Sequence, residues 1–162
     1  RMHTLLGTDV SQAAALLRAG ELVAIPTETV YGLAGHGLRE TSLRRIFAVK
    51  GRPLSNPLIL HFASADLLPG YVLTSRVPAA AHTLLAAFSP GPLTLLLPRN
   101  PDVVPDLVTA GLPDVAVRIP AHRMVQELLQ QLDFPVAAPS ANPFGYISPT
   151  RPEHVLSQLS GH

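Results

Sequence analysis

The chain returns again and again to one pattern: four or five largely apolar residues, bounded by proline or polar residues, then a longer stretch with helical spacing. The runs are 22–25, 58–62, 93–97, 115–119 and 135–138, with Pro26, Pro57, Pro92, Pro98, Pro120, Pro135 and Pro139 at or beside their limits. Runs this short, without polar alternation, suit strands buried on both faces. Proline closes them because it has no N–H to give to a ladder. Between them, 9–19 reads as a helix capped by Thr8 or Asp9, with Val10, Ala13, Ala14, Leu16 and Leu17 on its apolar face and Gly20 as its stop. Thr41 or Ser42 caps a second helix through Lys50, and 78–88 forms an alanine-rich third with Pro78 in its first turn. Further helices are expected at 121–132 and 152–159, whereas 27–37, with three glycines, reads as a polar loop. Strands alternating with helices predict an α/β fold. The proline-rich links Pro90-Gly91-Pro92 and 99–105 argue against a regular doubly wound sheet. The expectation is a single domain over 1–162, with a twisted, mixed β-sheet flanked by helices.

Composition narrows the function classes. Hydrophobic residues make up 47% of the chain but aromatics only 5%, so leucine, alanine, valine and isoleucine must build the core. The absence of cysteine excludes disulfides, thiol nucleophiles and zinc–thiolate centres. No apolar run reaches the ~20 residues that span a bilayer, and no charged-then-apolar leader opens the chain, so the reading is cytoplasmic with no membrane partner. A formal net charge of +1, with arginines mostly scattered, does not mark a dedicated nucleic-acid surface.

Lys50 is the single lysine among 12 basic residues. A lysine is a compact point charge where arginine is a flat fork, and Lys50-Gly51-Arg52-Pro53 places one of each around a glycine. That suits a grip on a nucleotide phosphate chain. It also suits a helix whose last basic residue faces the helix dipole before a turn. Polar residues cluster at the ends of the expected strands: Pro26-Thr27-Glu28-Thr29-Val30-Tyr31-Gly32-Leu33, His61, Arg118 and Pro139-Ser140-Ala141-Asn142. Ligands of open α/β sheets bind beyond the carboxyl ends of strands, so these groups are expected to converge on one crevice beside Lys50 and Arg52. Each has a plainer reading: Thr27 or Thr29 as a turn hydroxyl, His61 as a core histidine, Ser140 or Asn142 as a cap. Arg118 inside an apolar strand still requires an anion. No dinucleotide fingerprint, P-loop, nucleophile elbow or close metal-ligand spacing of the histidines is present.

Five ordered segments resemble the YrdC/TsaC family of L-threonylcarbamoyladenylate synthases. They are Pro26-Thr27-Glu28-Thr29-Val30-Tyr31-Gly32-Leu33; Lys50-Gly51-Arg52-Pro53 with Asn56-Pro57-Leu58; Pro90-Gly91-Pro92-Leu93-Thr94; Val115-Ala116-Val117-Arg118-Ile119-Pro120; and Ala138-Pro139-Ser140-Ala141-Asn142 leading to Ser148-Pro149-Thr150. The resemblance implies a fold with a central positively charged cavity. It also implies condensation of L-threonine, bicarbonate and ATP into threonylcarbamoyl-AMP and pyrophosphate, with magnesium carried by the ATP. It implies a threonine-binding set of Thr29, His61, Arg118 and the Ala138 backbone, and an ATP-binding set of Lys50, Arg52, Asn56, Ser140, Asn142 and Ser148. No residue is assigned as acid, base or nucleophile, and Lys50 and Arg52 act electrostatically. The implied product feeds the tRNA threonylcarbamoyl transferase machinery downstream, with tRNA as a further contact.

Two positions depart from the family pattern: Asp114 replaces a small hydroxyl residue, and Ser89 replaces a tryptophan. The chain is also expected to lack the family's usual C-terminal segment. Two alternatives stay open at this stage: a non-catalytic RNA- or nucleotide-binding module, and a carbamoyl-transfer relative of the hydrogenase-maturation type.

Overall fold

A computed structural model describes residues 2–4, 9–26, 31–139 and 146–147. The expected helix at 152–159, together with Thr27, Thr29, Ser140, Asn142 and Ser148, lies outside the described residues. The strands are β1 (Met2–Thr4), β2 (Leu22–Pro26), β3 (Tyr31–His36), β4 (Leu58–His61), β5 (Thr94–Pro98), β6 (Asp114–Arg118), β7 (Val136–Pro139) and β8 (Tyr146–Ile147). They form one sheet in the order β1-β2-β3-β7-β4-β6-β5-β8. The pairs β1–β2, β4–β6 and β5–β8 are parallel and the other neighbours antiparallel, so the sheet is mixed, as expected. The helices are α1 (Val10–Arg18), α2 (Glu40–Lys50), α3 (Ala79–Phe88), α4 (Asp106–Thr109) and α5 (Arg123–Gln130).

Helices cover both faces, which is why the strands read as largely apolar runs. Leu22, Leu33, Leu58, Leu60, Leu95, Leu97, Val115, Val117 and Ala137 pack in a core with Leu43, Ile46 and Phe47 of α2 and Val108 of α4. Val23, Ile25, Ala34, Val136 and Ala138 pack in a second core with Ala13, Ala14 and Leu17 of α1 and Val125, Leu128 and Leu129 of α5. Successive residues of a strand supply opposite layers, as the pleat requires.

The helix ends follow the sequence in part. Asp9 accepts the Gln12 N–H at 2.7 Å, and Gly51 ends α2 in the left-handed region at φ 63. Thr41 and Ser42 are not the caps of α2: Arg39 occupies that place without a side-chain capping bond, and the buried Ser42 hydroxyl donates to Gly20 O at 3.1 Å. The same carbonyl, two residues beyond α1, also accepts an Arg45 Nη1–H at 3.3 Å. Pro78 precedes α3 as its N-cap residue and is not in its first turn.

The largest correction concerns 27–37, whose second half is strand β3 and not loop. Gly32 and Gly35 lower strand propensity, but the β2 ladder from Val23↔Ala34 to Pro26↔Tyr31 satisfies the backbone. Gly35 also lets α2 approach. A Cβ there would meet Leu22 Cδ2 at 2.8 Å and Ile46 Cδ1 at 3.2 Å.

Candidate functional site

One row of paired residues crosses five strands: His36, Val136, His61, Arg118 and Thr94. Residues paired directly across a ladder share a face, and Val136 belongs to the core beneath α1 and α5. His61, Arg118 and Thr94 therefore point to the α5 side. There His61 and Arg118 line a recess whose other walls are Ile25, Pro26, Pro120, His122 and Val125.

Arg118 donates its Nε–H to Thr94 Oγ1 at 2.8 Å. Thr94 is fully buried, and this bond sets the plane of the guanidinium. His61 Nδ1 lies 3.1 Å from Ile59 O and 3.3 Å from Val136 O. A ring nitrogen facing two carbonyl oxygens is the one that carries the proton, so Nε2 is left as an acceptor. Burial, and then the Arg118 charge, push the His61 pKa down to about 4, against the opposing pull of those two carbonyls. At neutral pH the recess thus combines one fixed cation and one neutral acceptor with the His122 ring and otherwise apolar walls. Ala138 stands opposite Ile59 in the β4–β7 ladder, on the same face as His61. Two members of the expected amino-acid set, His61 and Arg118, are brought together in the recess, whereas Ala138 lies two residues along β7 from their row and is not one of its walls. Thr29 lies outside the described residues.

The Sua5/YciO/YrdC family model, described as "Telomere recombination", matches residues 15–162. The chain belongs to the Sua5/YciO/YrdC family. It is 50% identical over 149 residues to a threonylcarbamoyl-AMP synthase of Pyrococcus abyssi, covering 92% of this chain and 43% of that relative. It is 48% identical over 153 residues to a threonylcarbamoyl-AMP synthase of Bacillus subtilis, covering 94% and 44% respectively. Among solved structures, that of P. abyssi Sua5 complexed with L-threonine superimposes with a TM-score of 0.76 at 47% identity, over 94% of this chain and 44% of that one. The chain thus spans less than half the length of these relatives.

Within this Sua5/YciO/YrdC domain, the expected convergence of all strand ends on one edge does not hold. β4 and β6 are parallel and end together at His61 and Arg118. β7 is antiparallel to β4, so Pro139 lies opposite Leu58, at the beginning of β4. The segment Lys50 to Pro57 leads into that same end. There Arg52 N–H bonds Phe47 O at 3.0 Å and Asn56 N–H bonds Pro53 O at 3.1 Å. The expected nucleotide residues Lys50, Arg52 and Asn56 therefore precede one end of β4, and His61 closes the other, about 10 Å along the strand. Lys50 is exposed, Arg52 and Asn56 are half-buried, and neither basic residue is a wall of the recess around Arg118. Ser140, Asn142 and Ser148 lie outside the described residues.

Roomier clefts lie elsewhere. One of ≈ 460 Å³, lined by Leu68, Val72, Val77, Leu85 and Leu97 with Asp66 and His82, opens on the α2 side of the sheet. Asp114 lines another beside Arg76 and Arg99, at the opposite end of β6 from Arg118. The Ser89 hydroxyl is buried without a hydrogen-bond partner among the described residues.

Two site residues carry no role in the sequence reading. Thr94 interrupts Leu93-Thr94-Leu95-Leu96-Leu97, and a hydroxyl inside an apolar strand is its signal. His122 follows Pro120-Ala121 and lies at the start of the expected helix 121–132, so it reads as an ordinary helix residue.

Proposed function

We propose that this domain forms threonylcarbamoyl-AMP from L-threonine, bicarbonate and ATP, releasing pyrophosphate, with the His61–Arg118 recess holding the amino acid. The observation that carries the reading is the Thr94–Arg118–His61 row, which sets a fixed guanidinium beside a neutral imidazole acceptor. The guanidinium suits a carboxylate. The Nε2 lone pair of His61 suits a hydroxyl or amine proton, and Ile25, Val125 and Pro120 suit a methyl group. Threonine offers all of these. The recess holds ≈ 20 Å³ of room for water, about what one molecule needs, and opens towards solvent.

In this reading the threonine amine adds to bicarbonate-derived carbon dioxide. The resulting carbamate oxygen displaces pyrophosphate from the α-phosphorus of ATP. No protein nucleophile takes part. Lys50, Arg52 and Asn56, at the far end of β4, would hold the triphosphate, so the acceleration comes from placement and from charge neutralisation on the phosphates. Among the described residues no group of three His, Asp or Glu side chains is placed to hold a metal ion, and magnesium is assigned to the triphosphate itself. The product would pass to a tRNA threonylcarbamoyl transferase.

The test is incubation of the chain with ATP, magnesium, bicarbonate and isotopically labelled threonine. Pyrophosphate and a labelled threonylcarbamoyl-AMP mass are expected. A folded chain that binds ATP and threonine yet yields neither product would reduce the reading to a binding module.

A further inference from the structure

The recess holds a third polar group to which the substrate set implied by the family resemblance gives no role. His122 lines it beside His61 and Arg118, at the point where the chain leaves β6 through Ile119 and Pro120 and turns into α5. Its Nδ1 accepts the Met124 N–H at 3.2 Å, which caps α5. We propose that His122 is a further substrate-binding residue, whose Nε2–H donates to the amino-acid carboxylate held by Arg118. This inference rests on the amino-acid reading of the recess given above.

The capping bond makes the assignment. A ring nitrogen that accepts a backbone N–H cannot also carry the proton of the neutral imidazole, so that proton sits on Nε2. The same bond fixes the ring, and the donor is held in place before substrate arrives. His61 is the mirror case: its Nδ1 faces Ile59 O and Val136 O, so its Nε2 accepts. Two histidines on one recess thus present opposite hydrogen-bonding character. A carboxylate accepts from about four directions, and a guanidinium fork fills two of them. An imidazole N–H offered from the same recess occupies a third. The arrangement selects an amino acid with a free carboxylate and rejects its amide or ester.

Capping and donation are separable by substitution. In His122→Asn the side-chain oxygen still caps α5, since asparagine is a strong capping residue, but nothing reaches the position of Nε2. In His122→Gln the amide N–H reaches that position, while capping is weakened. Threonine and ATP are titrated calorimetrically into the unaltered chain and both variants, and melting temperatures are recorded alongside. The expected result is that His122→Asn weakens threonine about tenfold or more, with unchanged ATP affinity and melting temperature. His122→Gln is expected to recover most of the threonine affinity despite a lower melting temperature. If His122→Asn binds threonine like the unaltered chain, or His122→Gln binds it no better than His122→Asn, the donor role is overturned. If the folded, unaltered chain itself binds no threonine, the amino-acid reading of the recess falls, and this inference with it.

Discussion

Arg118 and Thr94 stand directly opposite each other in the antiparallel β5–β6 ladder, and the arginine Nε–H donates to the threonine hydroxyl at 2.8 Å. Thr94 is fully buried. An arginine set in an apolar strand is thereby held at its stem, with the fork directed by a neighbour one strand away. Thr94→Val keeps the shape and removes the acceptor. A hydrogen bond to a charged group is worth roughly 1.5–3 kcal/mol, and that loss is expected in urea denaturation. Threonine affinity should fall several-fold with it. Unchanged stability would show that the hydroxyl does not orient the arginine.

His61 makes stability depend on pH. Its folded-state pKa of about 4 lies below the ordinary value of 6.5, so the unfolded chain binds the extra proton first as pH falls. Its contribution is complete above pH 6.5 and is lost progressively between pH 6.5 and about 4, by an amount on the order of 3 kcal/mol. Carboxylates titrate in part of the same window, so the informative quantity is a difference. The unaltered chain should lose more stability than His61→Gln as pH falls through that range. Parallel curves would contradict a buried, neutral His61.

Gly37 and Gly51 should respond differently to alanine. A Cβ at Gly37 would lie 2.5 Å from Pro135 O and 2.9 Å from Leu60 Cδ2, against a backbone whose carbonyl accepts the Gly37 N–H at 2.8 Å. Gly37→Ala is expected to cost roughly 1–3 kcal/mol or more by forcing that edge of β7 to shift. Gly51 has open space around it and only its φ of 63 to strain, so Gly51→Ala should cost about 1–2 kcal/mol. Thermal melts of the two variants decide the order.

Arg118→Ala and Lys50→Ala should separate the two ends of β4. The first is expected to weaken threonine tenfold or more while leaving ATP affinity near its starting value. The second removes an exposed side chain, so stability should move by no more than about 0.5 kcal/mol. Threonine affinity should hold, and ATP affinity and turnover should fall. Equal loss of both ligands in either variant would contradict the division.

Much of this arrangement is legible in the sequence because both faces of the sheet are covered. Burial on two sides forces largely apolar runs, so β2, β4, β5, β6 and β7 stand out, and so do His61 and Arg118 as polar residues within them. β3 does not stand out, because Gly35 serves the close approach of α2 and, with Gly32, imitates a loop. Strand direction is also hidden. Nothing in Val136–Pro139 says that it runs against β4, and that reversal separates the end of β7 from His61. Thr94 and His122 escape because their roles depend on a neighbouring strand and on a helix cap, which appear only when the chain is folded. The short elements β1, α4 and β8 contain too few residues for any period to register.

The most direct test of the amino-acid recess is the ¹⁵N resonance pair of the His61 ring, recorded at neutral pH before and after L-threonine is added. The free chain should show a protonated Nδ1 and a bare Nε2, and threonine should shift Nε2 strongly while leaving Nδ1 nearly in place. Saturating threonine that perturbs other residues but leaves both His61 nitrogens unmoved would contradict the account.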